Sequence, residues 1–164
     1  MKYKQIMEIL KTILPDELVR FRLEFDDEMK LSLNKVWSWW NGTQWVRKAA
    51  AELWHWDIER LLASSRKIPI IKEKVDIYFK YYFSTWDSWG KRQLDSSNCV
   101  TMSKMIEDSI RYHKTKNPKG ILVDDTNVQV WWVNNLSYEM TLAERKLLET
   151  SYVEVSIRRH NPNL

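Results

Sequence analysis

The sequence predicts an α+β fold: a mixed sheet of about four strands with helices packed on one face. Apolar residues alternate with period two in separate short runs, and longer segments space them three and four residues apart. The order along the chain is α, β, α, β, α, β, β, which packs most economically as one sheet covered on one side. Only 3 of 164 residues are glycine, and no linker or repeat interrupts the chain, so a single domain is expected.

Residues 2–13 place Ile6, Met7, Leu10 and Ile13 at helical spacing, ended by Pro15 and Asp16. Between 18 and 25, Val19, Phe21, Leu23 and Phe25 alternate with Arg20, Arg22 and Glu24, the pattern of a half-buried strand. Residues 31–45 are irregular and aromatic, a loop or short hairpin turning at Asn41-Gly42. A helix follows over about 46–64, with Val46, Ala50, Trp54, Ile58 and Leu61 on one face. After Pro69, residues 75–83 are β-branched and aromatic and predict a second strand. A polar loop over 84–94 leads to a second good helix over about 99–113, left through a turn at Pro118 and Gly120. Gly120 to Val123 is a strand entry, 128–133 a strand, 141–149 one or two helical turns, and 151–157 the last strand. Trp54 and one of Trp131 and Trp132 are expected in the core, with the other of that pair facing the opposite side of the sheet.

Composition narrows the function. Net charge is +4, a mild basic bias compatible with a polyanionic partner. The single Cys99 excludes an internal disulfide and a cysteine-based zinc site, and His55, His113 and His160 are too few for a zinc–histidine cluster. No signal peptide opens the chain and no apolar run is long enough to span a bilayer, so a soluble, cytoplasmic protein is expected.

The most informative stretch runs from Asp95 to Asp125. It holds Asp95-Ser-Ser-Asn98, Lys104, Asp108 and Gly120-Ile-Leu-Val-Asp124-Asp125. Carboxylates in such an order suit a divalent cation that keeps sites open for water and a phosphate. Ser97, Thr101, Lys104, Asp108 and Arg111 follow one another at helical steps and line one polar stripe, while Met102, Met105, Ile106 and Ile110 supply the apolar side. The same residues also admit plainer roles: a solvated Lys104–Asp108 pair, helix caps at Asp95 or Asn98, and a turn at Asp124-Asp125.

This arrangement of Asp-x-x-Asn, a helical Lys and Asp, then Gly-Ile-Leu-x-Asp-Asp, resembles the RusA-like Holliday junction resolvases of phages and prophages. The likeness spans roughly residues 18–158 and leaves 1–17 as an N-terminal helical extension to a domain covering 18–164. It implies a homodimer that binds four-way DNA junctions and nicks opposing strands with Mg²⁺ or Mn²⁺, with no other small-molecule cofactor. By position, Asp95 matches the first acid of the family's run, Asn98 its Asn, Lys104 and Asp108 the helical Lys and Asp, and Asp125 the second acid of the pair beside Asp124. The family's middle acid falls on Ser97 here. An alternative register places Asp95 on the middle acid and Gln93 on the first; the first register preserves the three-residue step to Asn98. Either way one carboxylate is missing, and Asp108 is the candidate to replace it.

The resemblance thus assigns catalysis to Asp95, Lys104 and Asp125 and metal binding to Asp95, Asp125, Asp108 and Asp124. Lys104 is expected to offer charge to the phosphate as negative charge builds up. DNA contacts are expected from Asn98 and Arg111, from Lys91 and Arg92 after Trp86 and Trp89, and from Lys35, Arg47 and Lys48. Beside these last three, Trp37 and Trp40 are placed to stack on bases or wedge a branch point. Arg20, Arg22, Arg158 and Arg159 gather if the first and last strands are neighbours.

Overall fold

The alternation of Val19, Phe21, Leu23 and Phe25 turns these side chains to one side of strand β1 (Glu17–Phe25) and Arg20, Arg22 and Glu24 to the other. In this computed structural model the described residues are 16–26, 29–30, 43–64, 68, 70–85, 94–123 and 129–161. The helix expected over 2–13, the turn at Asn41-Gly42 and most of the 84–94 loop lie outside them.

Four strands form one mixed sheet: β1, β2 (Val75–Tyr82), β3 (Val130–Ser137) and β4 (Ser151–Arg159), in the order β1-β4-β2-β3. β4 runs antiparallel to both β1 and β2, whereas β3 is parallel to β2. The expected neighbourhood of the first and last strands is therefore present. Helix α1 (Thr43–Ser64) starts three residues before its expected N-terminus. A 3₁₀ turn (Ser96–Cys99) leads into α2 (Val100–Ile110), and the short α3 (Leu142–Lys146) precedes β4.

Both long helices pack on the same face of the sheet. Phe25 of β1 meets Trp54 of α1 at 5.6 Å between ring centroids, and Tyr81 of β2 bonds through its hydroxyl to Ser103 of α2 at 2.7 Å. Ala50, Trp54 and Ile58 are buried on α1 at steps of four; because four residues overshoot a helical turn, the stripe continues through Leu62, with Leu61 packed at its margin. Met102, Met105, Ile106 and Ile110 of α2 are buried as expected, against Ile77, Phe79, Val153, Val155 and Ile157.

Two expectations are corrected. α2 stops at Ile110, with Arg111 extended, because the following loop takes over the terminal carbonyls. Ile121 and Leu122 both donate to the Ile110 carbonyl, and the Asn117 amide donates to the carbonyls of Ser109 and Arg111. Residues 120–123 make single bridges to Arg111 and Ile71 and do not enter the four-stranded sheet. The second correction concerns Trp131 and Trp132, which are both exposed, at 56% and 54%. The β2–β3 register shifts between Val75 and Asp76, so Trp131 is an extra residue and strict alternation fails there. Trp132 lies on the uncovered sheet face, and Trp131 packs beside His160 and under Lys74.

Trp54 anchors α1 to the sheet, fully buried, with its indole N–H donating to the Met29 carbonyl at 3.0 Å. Trp54→Ala is expected to lower stability by about 3–5 kcal/mol, read from the shift of the urea midpoint. Gly120 presses on the end of α2: an added Cβ would lie 2.3 Å from the Arg111 carbonyl carbon and oxygen. Gly120→Ala should therefore cost about 1–3 kcal/mol in the same assay, because overpacking against backbone cannot relax by a side-chain rotation.

Candidate metal and nucleic-acid site

Asp95 ends an extended segment and caps the 3₁₀ turn. Three donors converge on a single oxygen: the Ser97 hydroxyl at 2.8 Å, the Asn98 backbone N–H at 2.9 Å and the Asn98 side-chain amide at 2.9 Å all reach Asp95 Oδ1. Oδ2 carries none of these bonds and the side chain is exposed. The Ser97 hydroxyl first, and the Asn98 N–H next, hold the Asp95 carboxyl below the usual carboxylate range. The turn is anchored from below and from the side. Cys99 is buried, its thiol pushed up to about 12 by burial, and the Ser96 hydroxyl accepts from the Ser137 N–H at 2.9 Å. That bond ties Asp95 to the C-terminal end of β3.

The rest of the acidic stretch forms a second cluster. Lys104 Nζ lies 2.7 Å from Asp108 Oδ1, and an Arg111 guanidinium nitrogen lies 2.9 Å from the same oxygen. Lys104 and Asp108 are half-exposed and Arg111 is only partly buried, so these pairs are worth little to stability and serve to orient one another. The 3₁₀ turn and most of α2 separate Asp95 from Asp108, about 20 Å at 2.0 Å per 3₁₀ residue and 1.5 Å per α-helical residue. Carboxylates sharing one Mg²⁺ each approach it to about 2.1 Å. Asp108 therefore does not replace the missing acid beside Asp95; its carboxylate is held between two cations.

Of the other predicted residues, Arg47 and Lys48 are exposed on the first turns of α1, which packs beside α2. Asn98 directs its amide onto Asp95. Asp124, Asp125, Lys91, Arg92, Lys35, Trp37 and Trp40 lie outside the described residues. Val123 follows Leu122, whose N–H donates to the carbonyl of the last residue of α2, and so lies at the Asp108 end of the helix. Among the described residues no three His, Cys, Asp or Glu side chains gather into a metal-binding group, and no helix is long and apolar enough to cross a membrane. Of the predicted acids among the described residues, Asp95 is the one that offers an ionised oxygen outside an ion pair, of the kind Mg²⁺ takes alongside waters and phosphate.

Sequence reading missed two features. One is the role of Ser97 as a donor to Asp95. The other is the polar face of β2, whose alternate residues Asp76, Tyr78, Lys80 and Tyr82 lie beside Arg158 and Glu154 of β4. The period-two pattern of 75–82 contained that signal. No family model, curated protein or solved structure matches the chain.

The low pKa of Asp95 has a pH consequence. The carboxylate favours the folded state above the ordinary aspartate value of about 3.9, and that contribution disappears as pH falls through the depressed value. Ser97→Ala removes the strongest donor, so the Asp95 titration followed by carboxyl ¹³C NMR should move to higher pH. An unchanged midpoint would show that Ser97 does not control the charge.

Proposed function

We propose that this protein is a metal-dependent, structure-selective endodeoxyribonuclease that acts as a homodimer on four-way DNA junctions. The observation that carries the reading is Asp95: ionised, pinned through Oδ1 and presenting Oδ2 outward at the start of α2. The order of residues that follows it, through Asp124 and Asp125, supports the same reading.

In this proposal Asp95 holds Mg²⁺ or Mn²⁺, with waters and the substrate phosphate completing the shell; Asp124 and Asp125 follow Val123, which lies at the other end of α2, and are not assigned to that ion. Such an ion, when bound, polarises a phosphodiester and lowers the pKa of a coordinated water. Ser97 and Asn98 keep Asp95 deprotonated and fix the direction of its open oxygen. Lys104, turned along the helix onto Asp108, neutralises a phosphate next to the scissile one, and Arg111 extends that positive stripe. Arg47 and Lys48 on the neighbouring helix add phosphate contacts.

One finding favours a second reading, a junction-binding dimer without cleavage: the acid opposite Asn98 is lost to Ser97, and Asp108 is too far along the helix to stand in for it. Labelled four-way junction with Mg²⁺ or Mn²⁺, beside linear duplex, separates the two. For the nuclease, wild type nicks the junction symmetrically. Asp95→Asn reduces nicking by more than the roughly 10–100-fold typical of an outer-shell partner, with junction binding retained. A wild-type shift without nicks in either metal establishes the second reading, and undiminished nicking by Asp95→Asn removes Asp95 from the mechanism.

A further inference from the structure

The sheet face turned away from the helices carries rows of side chains that run across all four strands. One row is Arg20, Ser156, Tyr78 and Asn134. The row on one side contributes Arg158, and the row on the other contributes Glu154 and Lys80. Ser156 and Asn134 are small beside the long residues flanking them, and a cleft of about 220 Å³ opens over this middle row.

The charges around the cleft are unevenly satisfied. Arg20 is bonded to Glu17 at 2.9 Å, and Glu17 also accepts from the Ser156 hydroxyl at 2.6 Å. The Arg158 guanidinium lies 4.2 Å from the Tyr78 ring centroid and donates to Ser156 at 3.2 Å. Lys80 Nζ lies over Tyr138 and Tyr82, at 4.5 and 5.3 Å. Among the described residues, neither Arg158 nor Lys80 has a carboxylate within 4.0 Å. Burial lowers the pKa of Arg158, the signature of a cation partly stripped of water. Among the described residues Glu154 is the acid on the cleft wall, and Glu17, held by Arg20 and Ser156 beside it, also attracts Arg158. Arg158 and Lys80 line a largely apolar cleft from opposite rows, and two cations so placed suit a tetrahedral anion, which presents oxygens to both sides. A planar carboxylate is served by a single guanidinium fork.

We propose that this cleft binds a phosphate group between Arg158 and Lys80, with Asn134 as an uncharged donor and Glu154 limiting the affinity. The phosphate is that of a nucleic-acid backbone crossing the open sheet face, a contact on the opposite side of the sheet from Asp95. Only this choice of source rests on the nucleic-acid reading above; the same chemistry would accept inorganic phosphate or a mononucleotide.

The test uses the full chain and two probes. Inorganic phosphate is titrated at constant ionic strength while the Arg158 Nε–H resonance is followed by NMR. A saturable shift is expected, weakened about tenfold in Lys80→Gln, as for loss of a charge-assisted hydrogen bond, and strengthened in Glu154→Gln. Arg158→Lys, followed through the Asn134 side-chain amide resonances instead, should retain part of the binding, which separates charge from folding. Four-way junction and linear duplex are then bound across a range of salt concentrations. Arg158→Gln should weaken both and flatten the salt dependence by about one released ion. A phosphate response with an unchanged salt slope keeps the anion site and overturns the nucleic-acid source. No response to phosphate, together with an unchanged slope, overturns the proposal. Neither probe requires cleavage, so failure of the nuclease reading leaves both outcomes interpretable.

Discussion

The pairing of β2 with β4 is the constraint on which the rest depends. Their antiparallel ladder runs from Val75–Arg159 to Tyr82–Tyr152 and sits between the two outer strands. Ile77 opposes Ile157, Phe79 opposes Val155 and Tyr81 opposes Val153 on the helix side. Tyr78 with Ser156, Lys80 with Glu154 and Tyr82 with Tyr152 take the other side. A slip of one residue in either strand would exchange the faces, carrying Arg158 and Glu154 into a core lined by Trp54 and Ile106. Desolvating those charges would cost far more than any surface pair returns. The apolar helix face and the charged open face are thus two consequences of one register.

That register also places the chemistry. The Tyr81 hydroxyl bonds to Ser103 and Ser103 donates to Asn135, so α2 is keyed at its middle to both β2 and β3. At its start, the bond from the Ser137 N–H to Ser96 holds the turn that Asp95 caps. At its end, the Ile110 carbonyl receives the chain leading to Val123. A rigid helix held at three points keeps the Asp95 and Lys104–Asp108–Arg111 clusters apart. A polyanion lying along α2 would meet the open carboxylate at one end and the cations toward the other.

Much of this was legible in the sequence because it depends on local period. The alternation of 18–25, 75–83 and 151–157 located three strands to within a residue or two, and the spacing of Ala50, Trp54 and Ile58 located α1. What was not legible depends on non-local facts. The bulge that exposes Trp131 arises from how β3 registers on β2, which no window of β3 reveals. The early end of α2 depends on Asn117 and Ile121 reaching back to its carbonyls. The cleft needs Arg20, Tyr78, Asn134 and Ser156, drawn from four strands, to fall in one row. In the acidic stretch the side-chain types were readable, and the stripe of Lys104, Asp108 and Arg111 formed as its spacing required. Asp108 does not reach Asp95, on helical rise alone. Sharing a stripe makes neighbours of residues three or four apart and separates those thirteen apart.

Ser97 is instructive because a hydroxyl and a carboxylate at its position would act on Asp95 in opposite ways. A second acid beside Asp95 would raise the cost of ionising either, and a cation would have to compete with a proton for the pair. A hydroxyl at the same place donates to Asp95 Oδ1 and lowers its pKa, so the carboxylate is kept charged by hydrogen bonds. The exchange removes one unit of negative charge, which weakens the hold on a divalent ion, and it removes the competition from protons, which widens the pH range of binding. An ion held this way keeps more of its shell for oxygens that the protein does not provide. Phosphate oxygens are the natural candidates, so occupancy would become conditional on substrate. In the proposed nuclease, the nucleic acid would thus complete a site for which Asp95 supplies one open oxygen.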